Sequence, residues 1–77
     1  DDDQAAELAY YRAQAQLQNG DYRSAAKGFD AYSERNPDDA EPLALAAIAY
    51  LNLEDFATAR ARAEAALRID PQNKNAK

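Results

Sequence analysis

The 77-residue chain contains no cysteine and no histidine. Zinc sites, thiol nucleophiles and imidazole acid–base chemistry therefore lack their usual residues, and no disulfide argument assigns a redox compartment. Bases are outnumbered, nine against fourteen acids, for a formal net charge of −5 and a pI near 4.5. Nucleic-acid recognition starts from a basic patch, so this balance argues against nucleic acid, and equally against an anionic membrane surface. Long apolar runs are missing too. The longest, Leu43 to Leu51, is far shorter than the ~20 residues of a membrane-spanning helix. No signal-peptide pattern is visible, and the opening Asp1-Asp2-Asp3 without Met suits a mature product or an excised fragment.

Large apolar side chains are equally scarce. Twenty of the hydrophobic residues are Ala, which leaves seven Leu, five Tyr, two Phe and two Ile. A core in a chain of about 70–80 residues rarely supplies more than ~3–5 kcal/mol, and small scaffolds usually add disulfides, a metal or oligomerisation. With the first two supports absent, close Ala-mediated helix packing, self-association or a larger parent chain remains.

What is present reads as four helices. The first runs from about Gln4 to Gln18, with an apolar stripe of Leu8, Tyr11, Ala15 and Leu17, and stops at Asn19-Gly20. Asp21 is an N-cap for a second helix carrying Tyr22, Ala25, Ala26, Phe29 and Tyr32, which ends before Asn36-Pro37. Asp38 or Asp39 caps a third, with Pro42 tolerated in its first turn and Leu43, Ala46, Ala47, Tyr50 and Leu51 on one stripe. After Glu54-Asp55 a fourth helix bears Phe56, Ala59, Ala63, Ala66 and Leu67 and ends at Asp70-Pro71. No strand is expected, because no segment alternates and the β-branched residues are only Ile48, Thr58 and Ile69.

These helices are one hairpin written twice. Sliding the sequence along itself until Glu7 meets Glu41 also pairs Leu17 with Leu51, Asp21 with Asp55 and Pro37 with Pro71, and sets Tyr22 against Phe56, Ser24 against Thr58 and Asn36 against Asp70. Over residues 6–73 this period, with Asn19-Gly20-Asp21-Tyr22-x2-Ala25-x3-Phe29 in one copy and Leu43-x2-Ala46-Ala47-x2-Tyr50, then Asp55-Phe56-x2-Ala59, in the other, resembles the tetratricopeptide repeat (TPR), a helix-turn-helix unit of about 34 residues. The resemblance implies an all-α fold of two tandem helix-turn-helix hairpins, four antiparallel helices in a short right-handed α-solenoid. Residues 1–5 would be a tail or helix extension, 6–39 and 40–73 the repeats, and 74–77 a C-terminal tail. Small residues at Ala13, Ala25, Ala47 and Ala59 would let backbones approach. Departures from the family pattern are Ala9, Arg12, Gln16 and Tyr32 in the first repeat, and Glu54 in place of the turn Gly and Ala63 in place of an aromatic in the second.

The resemblance also implies a concave face built from the first helix of each repeat, where partner peptides lie. That face would hold Glu7, Tyr10, Gln14, Leu17 and Gln18, then Glu41, Ala44, Ile48, Leu51 and Asn52. Tyr10, Leu17, Ile48 and Leu51 would be apolar contacts, and Glu7 or Glu41 would meet a basic residue of the partner. The competing reading buries Leu17, Ile48 and Leu51 between helices. Of Tyr10 and Tyr11, about 100° apart on a helix, one serves the core, and Tyr10 is the better groove candidate. The Lys and Asn with which some members capture a C-terminal carboxylate are replaced here by Tyr10, Ala44, Gln14 and Ile48, so that speciality is not expected.

Acid-rich stretches at Asp1–Asp3, Asp38 to Glu41 and Glu54-Asp55 lack the 12-residue loop and central Gly of an EF-hand and read as caps and solvated ends. Asp30 and Glu34 read as a solvated face, as do Arg60, Arg62 and an i,i+4 pair of Glu64 with Arg68. No catalytic constellation, metal or cofactor is expected. The leading function is a protein-protein interaction module that binds a peptide or helix of another protein. A narrower resemblance of the first repeat to bacterial periplasmic TPR proteins beside the Tol-Pal system, or in envelope assembly, favours the periplasm over the cytoplasm. The second reading is self-association into homo-oligomers through an Ala-rich outer side of Tyr50, Ala57, Ala61, Ala65 and Ile69, left open because no capping helix follows the fourth. Its motive is that about three repeats are normally needed for stability. A truncated or designed repeat scaffold is the third.

Overall fold

A computed structural model describes residues 2–71, and every described element is a helix: α1 (Asp2–Gln18), α2 (Tyr22–Arg35), α3 (Ala40–Asn52) and α4 (Phe56–Ile69). Each packs on its neighbour in the chain, α1 on α2, α2 on α3 and α3 on α4, which makes two consecutive helical hairpins. The first helix starts before the repeat boundary and takes in most of the expected N-terminal extension. The expected tail at 74–77 lies outside the described residues.

The turns explain where each helix stops. Gly20 has φ +87° and Glu54 has φ +64°, left-handed conformations that let the chain reverse at a helix C-terminus. Around Gly20, the Asp21 amide donates to the Gln16 carbonyl at 2.8 Å and the Gly20 amide to Leu17 at 3.2 Å. Around Glu54, the Asp55 amide donates to Tyr50 at 3.0 Å and the Glu54 amide to Leu51 at 3.0 Å. These are the two bonds of a Schellman motif, made once in each hairpin at matching positions. The next residue then starts the following helix. Asp21 accepts from the Ser24 amide and Asp55 from the Thr58 amide, at 3.4 and 3.3 Å, which satisfies one orphan amide in each first turn.

Between the hairpins, α2 ends on Asn36, whose amide donates to Tyr32 and Ser33 and whose side chain also donates to the Tyr32 carbonyl. Pro37 cannot continue the ladder. Asp39 is the cap of α3 and accepts from the Glu41 amide at 3.1 Å. Pro42 costs no intrahelical bond in that first turn and is fully buried.

The core is mostly alanine. Ala13, Ala25, Ala26, Ala46 and Ala49 surround Phe29, with Tyr10, Leu17, Leu45 and Tyr50 packed against them, and a smaller cluster of Ala40, Ala44 and Ala66 is closed by Leu43. Packing is tight between α1 and α2, where a Cβ placed on Gly28 would come within 2.7 Å of the Ala13 Cβ. The two hairpins exchange large for small. Leu43 packs over Ala66, whereas the same two places in the first repeat hold Ala9 and Tyr32, which line one shallow groove.

Three expectations about the stripes are corrected. Leu8 and Tyr11 are 66% and 63% exposed, and Phe56 is 62% exposed. In α1 the inward face is instead Tyr10, Ala13 and Leu17, three- and four-residue spacings that put Leu8 and Tyr11 on the outside. Phe56 stands at the first residue of α4, where no element lies over it among the described residues.

Candidate functional site

The expected concave residues fall into three groups. Glu7, Gln18, Leu51 and Asn52 are exposed, and Leu51 at 54% is the largest open apolar side chain among them. Tyr10, Gln14, Leu17, Glu41 and Ile48 are half-buried. Ala44 is completely buried in the contact of α3 with α4, against Ala40 and Ala66. Its place in the groove is therefore withdrawn, because a methyl pressed on the next helix has no surface for a partner. Of the expected apolar contacts, Leu17 of α1 and Ile48 of α3 are half-buried and Leu51 of α3 is open. The Asn52 amide is turned back on the Ile48 carbonyl at 2.8 Å, closing the last turn of α3.

Tyr10 serves the core rather than the groove. Its ring stacks on Tyr32, with centroids 4.2 Å apart and planes at 15°, and meets Phe29 edge-on at 5.8 Å. Such aromatic pairs contribute about 0.5–1.5 kcal/mol beyond area burial. The departure from the repeat pattern at Tyr32, where a small residue is usual, supplies the partner that turns Tyr10 inward. Burial, reinforced by the charges of Glu41 and Asp39, pushes the Tyr10 pKa up to about 12, with a hydrogen bond to Gln14 acting the other way. The acids at the start of α3 thus project their field across to α1. Asp38, Asp39, Glu41 and Asp70 also wall an open cleft of about 660 Å³ beside Pro37 and Ile69, with Arg35 opposing them.

A second constellation was not legible as such in the sequence. Asp30 on α2 accepts from the Tyr50 hydroxyl of α3 at 2.5 Å and from Arg62 of α4 twice, at 2.9 Å to Nε and 3.4 Å to the terminal nitrogen. The guanidinium also lies 5.6 Å from the Tyr50 ring centroid, within cation–π range. Hydrogen bonding to the carboxylate, followed by burial, raises the Tyr50 pKa, and the bond to Asp30 raises that of Arg62. Asp30 and Arg62 are therefore corrected from solvated-face charges to a three-helix tie. Tyr50 is likewise withdrawn from the open side of α4, since its hydroxyl is turned inward. Of the remaining members of that side, Ala57, Ala61 and Ile69 are exposed and Ala65 is half-buried. Glu64 pairs at 3.3 Å with Arg60, one turn earlier, rather than with Arg68. The three partners of the tie stand on three different helices, far apart in the chain, and that distance hid it. The only hint was that Asp30, Tyr50 and Arg62 each share a helix face with core positions.

Among the described residues, no three His, Cys, Asp or Glu side chains converge in a way that could hold a metal ion, and no helix is long and apolar enough to cross a membrane. The Asp30 carboxylate accepts from two residues of its own fold, an arrangement that ties three helices. No family model matches the chain, and no curated protein does.

Proposed function

We propose that the chain is a two-repeat TPR module that binds a peptide or helix of another protein along α1 and α3, the first helices of its two hairpins. The observation that carries this reading is the recurrence of the same turn, bond for bond, at Gly20-Asp21 and at Glu54-Asp55. A helix hairpin repeated every 34 or so positions is the mark of this repeat class, and such units present grooves rather than catalytic pockets. Leu17, Ile48 and Leu51 are the apolar contacts, Gln14 and Gln18 the adaptable polar ones, and Glu7 and Glu41 the acids that meet a Lys or Arg of the partner. No catalytic role, cofactor or nucleic acid enters this reading. The narrower resemblance makes a bacterial envelope protein the setting in which the partner would be met.

A peptide-display selection on the intact chain tests it. Selected peptides should combine apolar residues with a basic one, and Leu51→Glu should weaken them at least about tenfold, the effect of truncating a contact at an interface centre. Peptides that bind Leu51→Glu and Ile48→Glu as tightly as the unaltered chain would place the binding face elsewhere.

A further inference from the structure

We propose that a second copy of this chain docks on the outer face of α4, head to tail, repeating the step that seats the α3–α4 hairpin on α2. In that step the second copy's α1 takes the place of α3, its α2 the place of α4, and α4 the place of α2.

Three of the five exposed large apolar side chains, Leu8, Tyr11 and Phe56, sit where this step would cover them. Leu8 and Tyr11 are the counterparts of Pro42, which is fully buried, and of Leu45, which packs on the core cluster. Phe56 is the counterpart of the half-buried Tyr22. Exposed large apolar residues gathered at the two ends of a repeat unit, at positions its interior step buries, mark a surface made to be covered.

Size and charge then agree in detail. Inside the chain, Ala46 packs in the cluster formed around Phe29. At the new step these positions are occupied by the second copy's Arg12 and by Ala63, so the long side chain comes where the ring is missing, with Glu64 adjacent on α4. The second difference is sharper. Ala26 leaves a cleft of about 300 Å³ that is also lined by Tyr50, Leu53 and Asp55. At the new step Ala26 is replaced by Arg60, and the cleft walls become the second copy's Gln16, Asn19 and Asp21. Arg23 and Lys27, which also line the cleft inside the chain, correspond to Ala57 and Ala61, so at the new step Arg60 is the cation beside the retained carboxylate, and the aromatic and aliphatic walls become two amides, a donor set meeting acceptors. Arg60 is 83% exposed now and holds only Glu64, a surface pair worth little. A contact between two different faces of one chain does not close on itself, so copies add in a row.

Sedimentation of the 77-residue chain over about 0.01–1 mM, the range where a small interface associates, tests this. The average mass should rise continuously past two copies. Arg60→Glu and Asn19→Arg, both on exposed positions, should each weaken association at least about tenfold through like-charge contact. An equimolar mixture of the two variants should restore it, because the carboxylate introduced at position 60 of one meets the guanidinium introduced at position 19 of the other. A chain that stays monomeric throughout, an assembly that stops at two copies, or a mixture no tighter than its components would overturn the proposal. The concentration series on the unaltered chain decides independently of whether either variant folds.

Discussion

Glu54→Gly should stabilise this protein, although it deletes a side chain and adds a glycine. Glu54 holds φ +64°, a left-handed conformation that costs an L-residue about 1–2 kcal/mol. Glycine visits that region freely but loses more backbone entropy on folding, about 0.5–1 kcal/mol relative to alanine. The difference leaves a net gain of about 0.5–1 kcal/mol. For a domain of this size, ΔΔG of about 1 kcal/mol moves Tm by about 4–8 °C, so a rise of about 2–8 °C is expected in thermal unfolding followed by far-UV circular dichroism. The matched control is already in the chain. Gly20 occupies the equivalent turn at φ +87°, and a Cβ added there would touch nothing within 4 Å. Gly20→Ala therefore isolates the backbone term and should destabilise by about 1 kcal/mol. Glu54→Ala keeps the strain and should change little. A Glu54→Gly protein no more stable than Glu54→Ala would refute the claim that the conformation, and not the side chain, sets the cost.

Gly28→Ala tests a different cause with the same substitution: helix propensity favours it by about 1 kcal/mol, yet the 2.7 Å approach to Ala13 imposes an overpacking cost of about 1–3 kcal/mol, so urea unfolding should show a net loss that Ala13→Gly relieves, whereas it should not relieve Gly20→Ala. Asp30→Ala leaves the Tyr50 hydroxyl and the Arg62 guanidinium without their acceptor and should cost about 1–3 kcal/mol; in a double-mutant cycle with Arg62→Ala, a coupling energy below about 0.3 kcal/mol would deny the tie any role in stability. The Tyr10 hydroxyl, with a folded-state pKa of about 12 against 10.0, contributes fully below pH 10, where both states hold the proton. Between pH 10 and 12 the unfolded chain binds fewer protons and stability falls. The residue is only half-buried, so solvent screening reduces the loss to about 1 kcal/mol; denaturation of the unaltered chain and Tyr10→Phe across that window should diverge by this amount, and parallel curves would contradict it.

Local chemistry was legible in the sequence because it acts over three to five positions. Asp21, Asp39 and Asp55 are caps in the structure, Pro37 follows the end of α2, and the repeat shift reappears in the turn hydrogen bonds. Bonds of this kind close within one turn, so the residues that make them stand together in the chain. The candidate groove was legible only as a register, since repeat positions say which residues share a helix face and not how deep that face lies.

Depth was decided between helices. Tyr10 turned inward and Tyr11 outward because Tyr32 offered a ring to stack on, a fact of α2 that the periodicity of α1 does not contain. Ala44 vanished into the α3–α4 contact, and Gly28 has no room for a Cβ because Ala13 lies against it. Asp30, Tyr50 and Arg62 met only once three helices had packed. From the sequence alone came four helices, their caps and a doubled hairpin, all set by short-range backbone hydrogen bonding and apolar period; the choice of buried face, the close approaches and the polar tie waited on tertiary packing, where each helix is the other's solvent.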